Sequence, residues 1–395
     1  MLDVIAAGHL CLDIIPTISI DSVQSSSFLA PGRITEVGEA TLSGGGSVSN
    51  TGLALHRLGA TVRLIGRVGD DPIGEITRRI LGADDQRLVD HVRVATGEPA
   101  SYTIVLAPPG VDRTFLTSPG PNASFGPDDV DARLMAQTRI FHLGYPPLLA
   151  RLYTDGGLAL HEIMHRARSS GATTSLDMAM PDPSRPSGQA DWQRILARVL
   201  PQVDIFAPSA EELLFTLCRE RFEEIARASR GNSMIDLLKP EDIIDLADTA
   251  LEMGAGIVLI KVGHRGSYLR TGNLSAQMGR GAPADLVEWQ HRELWAPAFS
   301  VHVVGTTGAG DATVGGFLFA VLHGQSPSEA INSACAVGAC NCEAADAVSG
   351  IRAWADTQMR LSQAWPRIVP HLDTSDWRWD HGAGVFVGPH DASRA

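Results

Sequence analysis

Residues 303–320 read VVGTTGAGDATVGGFLFA, and this stretch decides the fold. Its two valines predict the end of a β-like segment, its small residues predict a tight turn, and a helix is predicted to follow, with Gly324 placed to end it. At residues 308–310 small side chains let consecutive backbone amides converge on one point. Because unpaired amides and the helix dipole favour anions at a helix N-terminus, we predict an anion site here.

Asp311 lies within this predicted anion site. A carboxylate there is a poor ligand for a phosphate group but a reasonable proton acceptor beside one. The alternative is that Asp311 only caps the helix, which is a common use of Asp. The complete TTGAGDA, followed by a helix of small residues, favours a functional carboxylate over a cap.

Alternating strand-like and helical segments along the chain predict an α/β protein with a mostly parallel sheet that helices cover on both faces. Beyond a strand-like start at residues 1–15, strands are predicted at residues 61–68, 101–106, 114–116, 140–144, 173–177, 204–207, 256–262 and 267–270. Helices are predicted after Gly46, with Gly59 ending that helix, and at residues 158–169, 191–200 and 243–253. The polar segment 17–42 is predicted to form strands outside the main body.

Two stretches of the chain resemble the signatures of one protein family. GTTGAGDATVGGFL, residues 305–318, is similar to the C-terminal signature of the PfkB, or ribokinase-like, carbohydrate and nucleoside kinases, usually written DTTGAGDAFxxG. GGSVSN at 45–50 and GRVGDDPIG at 66–74 resemble the N-terminal signature of that family in order and spacing. The resemblance extends from about residue 3 to about residue 360.

The resemblance implies a three-layer α/β/α fold of the ribokinase-like type, with a mostly parallel central sheet and a small β-sheet lid. Residues 1–365 are then predicted to be the kinase domain, with lid strands at about 16–43 and 100–118. Residues 366–395 are predicted to be a C-terminal extension. In many relatives the lid sheet also forms a dimer interface, so we expect a homodimer.

The implied activity is transfer of the γ-phosphoryl group of ATP to a hydroxyl of a small sugar. In this reading Asp311 is the general base, and the anion hole is formed by the backbone amides of Gly308, Ala309 and Gly310. The acceptor would be held by Asp13, Gly45, Gly46 and Asn50. The nucleotide would be held by Lys261, Gly263, Gly266 and Thr307. From the residues alone, a turn role for Asp13, a local helix bond for Asn50 and a surface position for Lys261 remain alternatives.

The resemblance also implies Mg²⁺ bound with ATP, with Glu212 acting on it through water, since hard cations prefer oxygen ligands. A solvated helix position is the alternative for Glu212. The sequence departs from the family at Ser209, where relatives carry Asn, and at Gly305, where the signature begins with Asp. That Asp helps to hold a monovalent cation in ribokinase-like members, so we expect weak or absent potassium dependence.

Two rival functions remain open at this point. A nucleoside kinase needs apolar or aromatic walls for the base, and aromatic residues make up only 6% of this chain, which favours a sugar. A catalytically silent member that binds a sugar or a nucleotide is favoured by Ser209 and Gly305. The retained Asp311 and its glycine-rich turn argue against the silent alternative.

Composition limits the other classes of function that this protein could have. A formal net charge of −13 over 395 residues argues against a nucleic-acid partner. The sequence has no apolar run of transmembrane length and no basic signal segment, so no membrane partner is expected. Its five cysteines form no CxxC pair, which fits a reducing cytoplasm.

Overall fold

The computed structural model describes residues 1–24, 28–109, 114–274, 277–370, 372 and 376–394. Residues 25–27 and 110–113 of the predicted lid lie outside the described residues. So do residues 371, 373–375 and 395 of the predicted extension.

The described residues form two sheets. Their strands are β1 Leu2–Gly8, β2 Cys11–Pro16, β3 Ala40–Gly45, β4 Val62–Gly69, β5 Val92–Ala95, β6 Tyr102–Leu106, β7 Thr114–Ser118, β8 Thr138–Gly144, β9 Thr173–Leu176, β10 Ile205–Phe206, β11 Ile257–Lys261, β12 Ser267–Thr271, β13 Glu293–Ala296, β14 Arg378–Asp380 and β15 Val385–Val387. The main sheet has the order β14-β15-β13-β12-β11-β10-β9-β8-β1-β4-β5. From β11 to β5 all neighbours pair in parallel, whereas β12, β13, β15 and β14 pair antiparallel.

Helices connect the parallel strands. Their bounds are α1 Ile20–Gln24, α2 Gly46–Leu58, α3 Pro72–Leu81, α4 Ala132–Met135, α5 Ala150–Tyr153, α6 Leu158–Ser169, α7 Pro186–Gln189, α8 Trp192–Val199, α9 Ala210–Leu217, α10 Arg219–Ser229, α11 Pro240–Glu252, α12 Ala309–Leu322, α13 Pro327–Asn341 and α14 Trp354–Leu361. Gly59 ends α2 at φ 113°, a left-handed conformation that glycine adopts without a steric penalty, as its place in the sequence predicted.

Two hydrophobic cores lie on opposite faces of the main sheet. Alternate residues of β1 enter different cores: Val4 and Ala6 pack with α2, α12 and α13, whereas Ile5 and Ala7 pack with α6, α8, α9 and α11. This alternation follows from the two-residue period of a strand. The predicted three-layer α/β/α arrangement with a mostly parallel sheet is therefore confirmed.

The small sheet has the order β3-β2-β6-β7. Strand β2 pairs antiparallel with β3 and parallel with β6. The prediction of strands within residues 17–42 was wrong for most of that range, because β2 ends at Pro16 and β3 begins only at Ala40. The described residues between these two strands include only the short helix α1. This sheet leaves Leu42, Phe115 and Leu116 exposed.

The last described residues join the main sheet. Strand β15 pairs with β13, and β14 pairs with β15. The ring of Trp377 packs edge-on against Tyr268 and Trp295, with ring centroids 6.1 Å apart in both pairs. The β-like segment predicted at Val303 and Val304 is wrong, since both residues lie outside any strand and are more than half exposed.

Helices α2 and α12 pack closely against each other. A Cβ built at Gly315 of α12 would lie only 3.0 Å from the Cβ of Ala54 on α2. Because the contact involves such small residues, the two helix backbones approach closely. The first two turns of α2 are thereby placed beside the first turn of α12, where Asp311 lies.

Candidate active site

A cleft of about 600 Å³ opens at the carboxyl ends of the parallel strands. Its walls come from the residue that follows β8, the N-terminus of α9, the turn between β11 and β12, and the first turn of α12. Open parallel sheets bind ligands at this edge, because the loops that follow the strands converge there.

Asp311 lies at the floor of this cleft and is only 3% exposed. Asn50 donates from Nδ2 to Oδ2 of Asp311 over 2.9 Å, and Thr51 donates to Oδ1 over a longer 3.4 Å. The hydroxyl of Tyr145 lies 2.8 Å from both carboxylate oxygens. Three donors from two different elements therefore fix the orientation of this carboxylate, and helix capping does not account for its surroundings.

Burial raises the pKa of Asp311, because a carboxylate loses hydration when it is enclosed. The positive charge of Lys261 and the hydrogen bonds from Asn50 and Tyr145 oppose that rise, while the charge of Glu212 adds to it. A carboxyl group with a raised pKa is a stronger base than an exposed one, which suits proton abstraction near neutral pH.

The glycine-rich turn begins α12. Gly308 is the N-cap residue with φ 70°, and a Cβ there would lie 2.6 Å from the Cβ of Ala347. The amide of Ala309 donates to the carbonyl of Thr306 over 3.2 Å, so this amide is partly engaged within the turn. Residues 308–311 all line the cleft. First-turn amides have no intrahelical acceptors, so Gly310 presents a donor at the helix N-terminus beside Asp311.

Lys261 reaches the same turn from the end of β11. A Cβ built at Gly310 would lie 3.7 Å from its Nζ, and Nζ donates to Oδ1 of Asp177 over 2.6 Å. Burial alone would lower the pKa of Lys261, but the charges of Asp177 and Glu212 raise it overall, so the side chain keeps its proton. The side chain of Lys261 is only 12% exposed, so it is not a surface lysine.

The predicted acceptor residues lie together where the small sheet meets α2. A Cβ at Gly45 would lie 2.2 Å from Oδ1 of Asp13, and a Cβ at Gly46, with φ 81°, would lie 2.5 Å from Nδ1 of His9. Burial raises the pKa of Asp13 to about 6, with a smaller contribution from the charge of Asp311. Burial lowers the pKa of His9 to about 4, so its imidazole is neutral at physiological pH.

Buried polar atoms without a hydrogen-bond partner among the described residues concentrate around this glycine segment. They are Nδ1 of His9, the hydroxyls of Ser43, Ser47 and Ser49, Oδ1 of Asn50 and Nε2 of His142. Buried polar atoms are normally paired, so this concentration distinguishes the glycine segment from the rest of the described structure.

The predicted nucleotide residues lie in the turn between β11 and β12 and in the loop before α12. Gly263 and Gly266 line the cleft with φ 51° and 97°, and a Cβ at Gly266 would lie 2.0 Å from the carbonyl oxygen of Ala296. In the loop Thr306 lines the cleft, whereas Thr307 accepts a bond through its carbonyl from Asn341 over 2.8 Å.

Glu212 lines the cleft at the start of α9. The amide of Ser209 donates to Oε2 of Glu212 over 2.6 Å, and the amide of Glu212 donates to the Ser209 hydroxyl over 3.3 Å. Among the described residues no group of three or more His, Cys, Asp or Glu could hold a metal ion. One carboxylate oxygen of Glu212 is thus engaged in the capping box at the start of α9, and the role of this residue towards Mg²⁺ stays a prediction. No described helix is long and apolar enough to cross a membrane.

Tyr145, which lines the cleft, and Asp177, which pairs with the cleft residue Lys261, are two residues that sequence reasoning did not assign. Each directly follows a central parallel strand, β8 or β9. Their positions at the carboxyl ends of strands could have suggested them, since that edge binds ligands in α/β sheets.

The fold and the cleft define a three-layer α/β protein with a buried carboxylate beside a glycine-rich turn at a helix N-terminus. The model of the pfkB family of carbohydrate kinases matches residues 6–354. The chain therefore belongs to the pfkB family of carbohydrate kinases, and the predicted family and enzyme class are confirmed.

The individual relatives described below are between 18% and 28% identical to this chain. An uncharacterized sugar kinase of Archaeoglobus fulgidus is 28% identical over 280 residues, which are 70% of this chain and 89% of that protein. Probable fructokinase-4 of Arabidopsis thaliana is 24% identical over 328 residues, 82% of this chain and 84% of that protein. The structure of Arabidopsis thaliana ribokinase complexed with ribose and ATP has a TM-score of 0.66 at 18% identity and covers 92% of this chain and 99% of that one. This likeness confirms the ribokinase-like fold.

Proposed function

We propose that the protein transfers the γ-phosphoryl group of ATP to a hydroxyl group of a small sugar. The observation that carries the proposal is the position of Asp311, a buried carboxylate in the first turn of α12. It lies next to Lys261 and to the amides of residues 308–310, which are called the anion turn below. That arrangement provides a base and an anion site within one cleft. Both are needed to phosphorylate an alcohol.

The transfer would run in line between acceptor and nucleotide. Asp311 accepts the proton of the acceptor hydroxyl, the hydroxyl oxygen forms a bond to the γ-phosphorus, and the bond to the β,γ-bridging oxygen breaks to release ADP. Amides of the anion turn and the ammonium of Lys261 stabilise the charge on the transferring group. Bound Mg²⁺ would neutralise charge on the phosphates, with Glu212 contacting it through water.

Several features favour a sugar as the acceptor. The unpaired buried atoms around the glycine segment are hydroxyls, an amide oxygen and two imidazole nitrogens, a set that matches a polyol. Burial lowers the pKa of His9 to about 4 and that of His142 to about 3, so neither offers a cation to an acidic acceptor. The named relatives are a sugar kinase, a fructokinase and a ribokinase. A nucleoside kinase and a silent binding protein remain the alternatives.

The decisive experiment measures ADP release with a panel of sugars and nucleosides for the wild type and for Asp311→Asn. We expect turnover with at least one sugar, and Asp311→Asn should lower kcat by roughly 10²- to 10⁴-fold while ATP affinity changes little. Asp84→Asn, a substitution of an exposed carboxylate, is the matched control and should behave like the wild type. Turnover with nucleosides alone would make the protein a nucleoside kinase. ATP binding without turnover on any acceptor would make it a silent member.

A further inference from the structure

Tyr145 makes an uncommon contact with Asp311. Its hydroxyl lies 2.8 Å from Oδ1 and 2.8 Å from Oδ2, so one phenol addresses both oxygens of the carboxylate. A phenol donates one proton, and a donor placed between two carboxylate oxygens interacts with the whole anion rather than with one oxygen. The contact joins residues 166 positions apart in the sequence.

The backbone of Tyr145 is held in a strained conformation. Its φ is 63° and its ψ is 45°, in the left-handed region that a bulky side chain rarely adopts. It directly follows Gly144, the last residue of β8, and directly precedes two prolines, Pro146 and Pro147. Strain of this kind persists where surrounding structure imposes it, and it clusters at functional sites.

The phenol is enclosed as well as strained. Burial raises the pKa of Tyr145 far above its ordinary value, and the charges of Asp311 and Asp177 raise it further. The hydroxyl therefore keeps its proton near neutral pH and donates to Asp311. The tyrosine ring lies 6.2 Å from the ring of His9, and Tyr145 lines the cleft together with the first turn of α12.

We propose that Tyr145 is a positioning residue of the phosphoryl transfer, whose hydroxyl stays on Asp311 during turnover, orients its carboxylate and stabilises its ionised form. This inference rests on the proposed function, because it assigns Asp311 as the base. Asn50 donates to Oδ2 over 2.9 Å and Thr51 to Oδ1 over a longer 3.4 Å, so without the phenol only Oδ2 has a short hydrogen bond. The phenol adds a short contact to both oxygens, which holds the plane of the carboxylate and favours its ionised form.

Other groups also face Asp311 from the packed elements. They are Asn50 and Thr51 on α2, Lys261 at the end of β11, Asp177 after β9, Glu212 on α9 and Asp13 on β2. Lys261 and the hydrogen-bond donors favour the ionised carboxylate, whereas the other carboxylates disfavour it. Removing the phenol hydroxyl shifts this balance in one direction only, towards the protonated form of Asp311.

The test compares the pH profile of kcat for the wild type, Tyr145→Phe and the control Tyr153→Phe, at saturating sugar and ATP. Phenylalanine keeps the ring and removes only the hydroxyl. Because a hydrogen bond to an ion is worth roughly a factor of ten or more, the acid limb of Tyr145→Phe should move up by about one pH unit. At the wild-type midpoint kcat should fall roughly five- to sixfold, with recovery at higher pH and an unchanged KM for ATP. Tyr153 packs on Trp192, away from the cleft, and its variant should match the wild type.

A profile of Tyr145→Phe that superimposes on the wild type, or a loss of kcat that is the same at every pH, would overturn the proposal. Nuclear magnetic resonance of ¹³C-carboxyl-labelled aspartates gives a second readout that needs no turnover, with the Asp311 signal assigned by its absence in Asp311→Asn. Its titration midpoint should rise by about one unit in Tyr145→Phe. An unshifted midpoint refutes the role of Tyr145, whereas absent sugar turnover with a shifted midpoint refutes only the proposed function.

Discussion

At the residue scale, Lys261 is notable because the chain contains very few lysines. Lys239 and Lys261 are its only lysines among 32 basic residues. Lys239 is exposed before α11, whereas Lys261 is enclosed by carboxylates beside the anion turn. A compact ammonium on a flexible stem can approach a phosphoryl oxygen where a planar guanidinium would not fit.

Replacing Lys261 should therefore impair the transfer itself. We expect Lys261→Met to lower kcat roughly 10²-fold, as does the loss of one stabilising donor at a transition state, while Lys239→Met stays at the wild-type rate. Steady-state kinetics with ATP and the preferred sugar provide the measurement. A Lys261→Met enzyme with wild-type kcat would remove Lys261 from the reaction.

Substitution of Lys261 also removes the cation that pairs with Asp177, so the experiment needs a control for this effect. Lys261→Met leaves Asp177 buried without its cation, which lowers stability by several kcal/mol if the carboxylate stays ionised. The double variant Asp177→Asn/Lys261→Met should regain thermal stability but not kcat. Recovery of both would mean that the single variant failed through folding alone.

Local signatures explain which site residues the sequence could predict. Asp311 and residues 308–310 are neighbours in the chain, so their spacing alone predicted the turn and the carboxylate. Tyr145 and Asp177 reach the site across 166 and 84 positions, to Asp311 and Lys261 respectively. No short motif records such contacts, because the parallel sheet creates them when it assembles.

At the scale of elements, the loop before α12 packs against the turn that follows α13. A Cβ built at Gly305 would lie 2.9 Å from the carbonyl oxygen of Ala344 and 3.0 Å from that of Ala345. Any side chain at position 305 would therefore require one of the two segments to move. An acidic group, which would help to hold a cation, has no space in this arrangement.

We accordingly expect potassium to have little effect on turnover. The measurement is kcat at constant ionic strength in potassium and in a large organic cation, with the two rates expected to agree within about twofold. Strong stimulation by potassium would show that backbone carbonyls bind the ion without an acidic side chain.

Elements with clear end signals were predicted well. Residues 158–169 were predicted as a helix and form α6 with the same bounds, and Gly59 ends α2 as predicted. Val303 and Val304 were misassigned because β propensity reflects packing within a sheet, and these residues have no sheet neighbour. The place beside β13 is taken by β15 from the end of the chain.

At the scale of the whole molecule, the segment after residue 365 is integrated with the body. Trp377 packs between Tyr268 and Trp295, and Arg292 donates to Asp391 over 3.0 Å. The division into a kinase domain and a C-terminal extension stays a prediction. Two strands of that segment nevertheless belong to the main sheet.

Loss of the Trp377 ring should weaken the fold. We expect Trp377→Ala to lower the free energy of unfolding by about 2 kcal/mol, less than a fully buried tryptophan would, because its side chain is only half-buried. Urea titration followed by circular dichroism measures this change, with the exposed neighbour Arg378→Ala as control. Equal stability of Trp377→Ala and the wild type would show that the segment contributes little to the body.

The strand order also has a consequence for biosynthesis. Strand β1 pairs with β4 and β8 in the interior of the sheet, whereas β15, which follows β13 in the chain, covers the far edge of β13. Because β13 is synthesised before β15, its hydrogen-bonding edge lacks that neighbour while the intervening residues are made. Closure of this edge therefore has to wait until β15 has left the ribosome.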